Sequence, residues 1–234
     1  MIEIWPAIDL IDNKSVRLTE GDYGTKEEMQ RTPQEAIAFY AQFEQVKRIH
    51  IVDLMGALNQ KPEETPFIEQ LLQQSALPVE IGGGIRSEET IKHYFEKGAS
   101  YVIVGTKGLQ DLPWLAEMTA KYPGKIYLGL DAKGELVAVN GWTETGRQTI
   151  YDVVEATNPM ALGGIIYTDI SKDGKMAGPN FELTGKLVEL STHPITASGG
   201  VRNTEDIKKL EALGVAAAII GKAANTDAFW EGLA

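Results

Sequence analysis

Pro78–Trp114, PVEIGGGIRSEETIKHYFEKGASYVIVGTKGLQDLPW, aligns without a gap on Pro194–Trp230, PITASGGVRNTEDIKKLEALGVAAAIIGKAANTDAFW, at an offset of 116 residues. Twelve of the 37 paired positions are identical, among them Gly83/Gly199, Gly84/Gly200, Arg86/Arg202, Gly98/Gly214 and Gly105/Gly221. The same offset carries Asp53 onto Asp169, each at the end of an earlier apolar run. Chance does not hold one register across glycines, charges and a tryptophan together. The chain therefore reads as two copies of one unit, roughly residues 1–121 and 122–234, each with a glycine-rich loop suited to an anion.

Working outward, short β-branched runs alternate with helical patterns. Eight strands are expected: Glu3–Ile8, Arg48–Asp53, Val79–Ile81, Tyr101–Val104, Ile126–Asp131, Gly164–Thr168, Ile195–Ala197 and Ala217–Ile220. Between them, Thr32-Pro33-Gln34-Glu35 reads as a helix start with proline at the first helical position. Ile91, Tyr94 and Phe95 fall on one helical face, and Gly98 stands where a C-terminal glycine is expected. Alternating strands and helices imply a parallel sheet. Eight strands in two matching halves favour a single-domain (β/α)₈ TIM barrel over an open doubly wound sheet. The GGG run follows the third strand and is not the GxGxxG of a dinucleotide fold. Two long segments, Thr19–Arg31 and Asp169–Pro179, are expected to be functional loops on the barrel top.

Composition bounds the function. The chain has 234 residues, 43% of them apolar and 24% charged, as in an ordinary globular domain. No apolar run is long enough for a membrane span, and MIEIWPAIDL lacks the basic start and the small-residue cleavage site of a signal peptide. There are no cysteines, so thiolate chemistry and disulfides are excluded. A cytoplasmic enzyme is expected. The net charge of −11 argues against nucleic acid but not against a small anion bound by local donors. The three histidines, His50, His93 and His193, form no metal-spaced pair and read as structural, so no metal or cofactor is implied.

In a barrel of this kind chemistry sits at the C-terminal ends of the strands. Gly83 and Gly84 follow the third strand, and Gly105 and Thr106 the fourth. Ser198, Gly199 and Gly200 follow the seventh, and Gly221 and Lys222 the eighth. These pairs would face each other across the mouth, so the ligand is expected to be elongated and phosphorylated at both ends. Arg86 and Arg202, two residues beyond each GG, are further phosphate candidates. Asp9 ends the first strand and Asp131 the fifth, half a turn apart and midway between the phosphate sites. Opposed carboxylates suit proton transfer, one ionised and one protonated. Thr168, Asp169, Ser171 and Asp173 near the sixth strand are rival candidates; a symmetric Asp53/Asp169 pair is as well explained by holding loops.

With these features assembled, the chain resembles the histidine-biosynthesis isomerase family, phosphoribosylformimino-5-aminoimidazole carboxamide ribotide isomerase. The segments that carry the likeness are PAIDLIDNKSVRL with EGDY, HIVDLMGA, EIGGGIR, VIVGT, LDAKG with NGW, YTDISKDGKMAGPN, SGGVRN and IIGKA. The resemblance implies a cofactor-free Amadori rearrangement of a bis-phosphorylated aminoaldose to an aminoketose. It makes Asp9 the proton acceptor and Asp131 the donor, with Asp173 an alternative acid. It also implies that Trp142 and Arg147 close over the substrate and that Gly178 lies in the binding loop. The sixth loop departs from the family in KDGKM, and the eighth in GKAANTD. The close rival is the cyclase subunit of the next synthase in that pathway, a lyase that takes ammonia from a glutaminase partner. Gly178-Pro179-Asn180 and the NGW after the fifth strand favour the isomerase. A dual-substrate isomerase and a non-catalytic phosphate-binding barrel are the remaining alternatives. The internal repeat uses up symmetry within one chain, so a monomer is expected.

Overall fold

The computed structural model describes residues 2–234. Its strands in chain order are β1 (Glu3–Ile11), β2 (Lys14–Thr19), β3 (Asp22–Glu28), β4 (Ile49–Asp53), β5 (Val79–Gly82) and β6 (Tyr101–Val104), then β7 (Ile126–Lys133), β8 (Leu136–Val139), β9 (Glu144–Thr149), β10 (Gly164–Asp169), β11 (Ile195–Ser198) and β12 (Ala217–Ile220). Eight of them pair in parallel in the order β10-β11-β12-β1-β4-β5-β6-β7, and β10 pairs back onto β7. That last ladder sets Thr168 opposite Asp131 and closes the ring. The fold is a (β/α)₈ barrel, and closure excludes the open doubly wound sheet. The eight barrel strands are those expected from the sequence, with ends shifted by a few residues.

Strand geometry decides what lies on each side of the wall, because successive side chains point to opposite faces. Ile8, Leu10, Ile49, Ile51, Ile81, Val102, Val104, Leu128, Leu130, Ile165 and Ile220 face outward into the layer beneath the helices. Each such side chain fully removed from water contributes about 1.5–3 kcal/mol. A second, separate cluster of Trp5, Ala7, Ile103, Tyr127, Ile166, Ala217 and Ile219 fills the barrel interior. Because both faces are buried, the strands read as nearly continuous apolar runs. Arg48, His50 and Glu80 break that pattern, and all three are buried.

The helices begin and end where local chemistry says they should. Thr32 caps the helix Pro33–Tyr40 by accepting from the backbone N–H of Glu35. Ser87 caps Glu88–Glu96, which buries Ile91 and Tyr94 and is followed by Gly98 at φ +106°. That left-handed angle is where glycine is favoured. Asn203 caps Thr204–Ala212, which buries Ile207 and Leu210. Among the described residues no helix is long and apolar enough to cross a membrane.

The structure corrects one expectation. The segment after the first strand is not a long loop but an antiparallel extension, β2 on β1 and β3 on β2. A second extension follows the fifth barrel strand, β8 on β7 and β9 on β8. Both stand on the C-terminal side of the barrel. The sixth-strand segment does contain irregular chain, with only a short 3₁₀ turn at Ile170–Lys172.

Candidate active site

One cavity occupies the C-terminal mouth of the barrel. Its wall takes Asp9 from β1, Asp131 from β7, Thr168 from β10 and Ser198 from β11, inward-facing positions near strand ends, with His50 from deeper on β4. The glycine-rich turns after β5, β6, β11 and β12 complete it with Gly83, Gly84, Gly105, Thr106, Gly199, Gly200, Gly221 and Lys222. Gly83 (φ +109°), Gly84 (φ +73°), Gly199 (φ +93°) and Gly200 (φ +82°) are all left-handed. A Cβ on Gly83 would stand 2.2 Å from the Asp53 carbonyl oxygen, so only glycine lets the turn approach this closely. The turn at Gly105 opens a helix, and the turn at Gly221 opens a 3₁₀ turn. Neither has a side-chain cap, whereas Ser87 and Asn203 cap the helices that follow the Gly83–Gly84 and Gly199–Gly200 turns. First-turn N–H groups without a capping oxygen are donors suited to phosphate.

Three carboxylates face this cavity, and their surroundings differ. Asp9 Oδ2 lies 2.7 Å from Arg17 Nη1. Arg17 also donates through Nη2 to the Ala7 carbonyl, and it is 5% exposed. Its Nε is buried with no partner and stands beside Gly221. Asp131 Oδ2 accepts from Trp142 Nε1 at 2.6 Å. Burial pushes the Asp131 carboxyl up from the usual range, while the bonds from Trp142 and Thr168 and the nearby His50 pull the other way. Asp173, immediately after the 3₁₀ turn, is pushed up to about 7, first by burial and then by the neighbouring Asp9 charge. It is a carboxylic acid poised to give a proton near neutral pH.

The two hairpins roof the site. Gly21, at the β2–β3 tip, receives the Trp142 ring so closely that a Cβ there would lie 2.1 Å from the indole. Trp142 itself has φ +70°, a strained angle for a bulky residue, and Gly141 rests on the backbone of Leu58. The β2–β3 hairpin also holds the Asp173 segment. Glu20 donates its N–H to the Asp173 carbonyl at 3.0 Å, and its side chain pairs with Lys175 at 3.0 Å. Lys222 reaches Thr19 Oγ1 at 3.2 Å and Glu27 at 3.5 Å. Tyr23, on the same hairpin, donates to the Leu54 carbonyl, and burial with nearby Asp9 and Asp53 pushes its hydroxyl up to about 12.

The structure thus brings together Asp9, Asp131, Asp173, Thr168, Trp142, Ser198, Lys222 and the paired glycines. Arg86, Arg147, Gly178 and Arg202 stand elsewhere. Arg86 is exposed in the turn beyond Gly84, and Arg147 is exposed on β9; neither lines the cavity. Gly178 is buried outside it, donating to the Gly200 carbonyl and packing on Arg202, which itself pairs with Asp206. Asp53 and Asp169 hold loops. Asp53 accepts from the N–H groups of Gly56, Glu63 and Glu64, and Asp169 accepts from Ser171 and Asn180. Two residues escaped the sequence reading. Arg17 was not singled out, and His50, read as structural, lies on the cavity wall. Strand parity is the signal for His50: it is two residues before Val52 on an inward row that also lines the cavity.

A family model described as "Histidine biosynthesis protein" matches residues 3–229 of the chain.

Proposed function

Because the chain belongs to the histidine biosynthesis protein family, we propose that it is the pathway's aldose–ketose isomerase, acting on a bis-phosphorylated aminoaldose ribotide by an Amadori rearrangement. The two phosphates occupy the opposed turns, Gly83–Gly84 with Gly105–Thr106 on one side and Ser198–Gly200 with Gly221–Lys222 on the other. Asp173 gives its proton to the ribose ring oxygen as the C1′–O4′ bond breaks, leaving a protonated Schiff base. Asp9, ion-paired to Arg17, takes the C2′ proton. The resulting enol-amine tautomerises to the aminoketose, and the two carboxyl groups are reset by proton return. No atom is gained or lost.

The resemblance puts Asp131 first as the acid. Its engagement by Trp142 and Thr168 favours a positioning role, whereas Asp173, pushed up to about 7, suits an acid at neutral pH. The observation that carries the isomerase reading is Trp142, whose indole N–H bonds Asp131 and whose ring seats on Gly21 at the wall of the cavity. The flat indole face suits stacking on an imidazole ring. The barrel floor supports the same reading. Trp5, Tyr101 and Tyr127 close around Arg48, so ammonia arriving along the axis would have to part packed rings.

Purified protein given the aminoaldose ribotide tests this directly. Formation of the ribulosyl aminoketose is the expected result. Inertness towards that compound, with ammonia-dependent consumption of the aminoketose, would replace the isomerase by the cyclase.

A further inference from the structure

We propose that Glu80, braced by Arg48, is a positioning residue for His50: it fixes the imidazole so that Nε2 is a hydrogen-bond acceptor in the cavity. The functional half of this inference rests on reading that cavity as the isomerase site. The structural half does not.

His50 and Glu80 are cross-strand partners on β4 and β5, so their side chains lie side by side inside the barrel. Glu80 is 0% exposed. One carboxylate oxygen bonds His50 Nδ1, and the other lies 2.8 Å from Arg48 Nη1. A carboxylate only accepts, so the Nδ1 atom carries the proton. In a neutral ring that leaves Nε2 with its lone pair free. Among the described residues the one side-chain hydrogen bond of His50 is through Nδ1, and His50 is among the residues lining the cavity.

Arg48 explains why the ring need not be charged. Its guanidinium is sandwiched between Trp5 (3.9 Å) and Tyr101 (3.6 Å) and donates to the Tyr127 hydroxyl at 3.3 Å. It is permanently protonated, so it already matches the buried Glu80 charge. If stability alone were at stake, apolar residues of similar size would serve the barrel floor as well as a buried ion pair. The trio has one outlet, the His50 ring, and it opens between the two phosphate turns. An acceptor there recognises a hydroxyl or N–H in the middle of the ligand.

The test begins on the full-length protein without ligand. With three histidines in the chain, His93→Gln together with His193→Gln leaves His50 as the sole imidazole for ¹⁵N NMR. A protonated Nδ1 with a bare Nε2 at neutral pH is expected. A protonated Nε2, in either a neutral ring or an imidazolium, overturns the proposal whatever reaction the protein catalyses. Kinetics supply the second readout. Glu80→Ala should lower kcat by about 10- to 100-fold, the range seen when carboxylates that orient functional imidazoles are removed. Glu80→Gln, which keeps an acceptor for Nδ1–H, should recover most of it. Added to His50→Ala, Glu80→Ala should cost less than about twofold more, because both act through one group. Full additivity overturns the proposal. Should Glu80→Ala not fold, Arg48→Met combined with Glu80→Gln removes both charges and keeps the acceptor; a switched His50 tautomer in that protein refutes the mechanism. An Nδ1–H signature in a protein lacking isomerase activity would sink the function and leave the positioning intact.

Discussion

Replacing Asp173 by Asn should make the protein more stable at pH 8 while removing most of its activity. The carboxyl is pushed from 3.8 to about 7 by burial and the Asp9 charge. At about 1.4 kcal/mol per unit, that displacement corresponds to roughly 4 kcal/mol against ionisation in the folded state. The sign follows from proton counting. Between about pH 4 and 7 the folded chain keeps a proton that the unfolded chain has released. Stability is therefore lost as pH rises through that window, and the loss levels off above 7. Asparagine has no such proton. Asp173→Asn should match the native protein near pH 4 and exceed it by about 2–4 kcal/mol at pH 8, the lower figure allowing for water in the cavity. At about 2–4 °C per kcal/mol for a chain of this size, Tm at pH 8 should rise by about 5–15 °C. Turnover should fall by about 10²- to 10⁴-fold, the contribution of a positioned general acid. Urea melts across pH 4–8, beside kcat at each pH, are the assay. If the two proteins show the same dependence of stability on pH, Asp173 is not held protonated, and the assignment of the acid falls with it.

Asp9→Asn should abolish turnover by about 10²- to 10⁴-fold yet keep affinity for a bis-phosphorylated analogue, as measured by calorimetric titration; affinity lost together with turnover would mean that Asp9 binds rather than reacts. Lys222→Met removes an amine whose own pairs are partly exposed and worth at most about 1 kcal/mol. KM should rise by about tenfold with kcat unchanged, and an unchanged KM would take the phosphate away from that turn. Gly83→Ala, by contrast, places a Cβ 2.2 Å from the Asp53 carbonyl at φ +109°. It should cost about 3 kcal/mol or more in denaturant melts, and a neutral result would show that the turn is looser than described. Gly21→Ala intrudes on the Trp142 ring at 2.1 Å. Tryptophan emission should shift to the red and kcat/KM should drop about tenfold, with only about 1 kcal/mol of stability lost; unchanged emission would mean the ring does not depend on that seat.

The barrel was legible because its strands are buried on both faces and so carry an unmistakable apolar signal, repeated at one offset. The hairpins were not. Residues Asp22–Glu28 read DYGTKEE and are almost all exposed, so β3 has no apolar alternation to announce it. Arg17 was hidden for a different reason, its non-local partner. It lies eight residues beyond Asp9 in sequence and meets it only because β2 folds back with Val16 opposite Asp9. His50 sits in the run IHIVD, where burial of both faces blurs the alternation, and its parity becomes readable only once Val52 is placed on the inward row. Arg86 illustrates the converse: its spacing from the GG suggested a phosphate ligand, but the turn directs it to solvent. The strand-end aspartates Asp9 and Asp131 were readable because the fold fixes where strand ends lie.

Barrel geometry alone does not account for an acid such as Asp173. Strand ends point into an open mouth, where water would hold a carboxyl near its ordinary range. What removes that water is the β2–β3 hairpin. It delivers Arg17 to Asp9, and it carries Gly21 to the Trp142 ring. Through Glu20 it grips the Asp173 segment, and Gly174 packs so tightly on Leu18 that a Cβ would stand 2.3 Å from its carbonyl oxygen. Thr19 and Glu27 tether Lys222. One element outside the barrel therefore contacts the proposed base, the proposed acid, the roof and one phosphate turn. The eight strands set the directions of the chemistry; the hairpin sets its dielectric. Substitutions at the exposed positions of β3 should accordingly move the Asp173 pKa while leaving the barrel's own stability almost untouched.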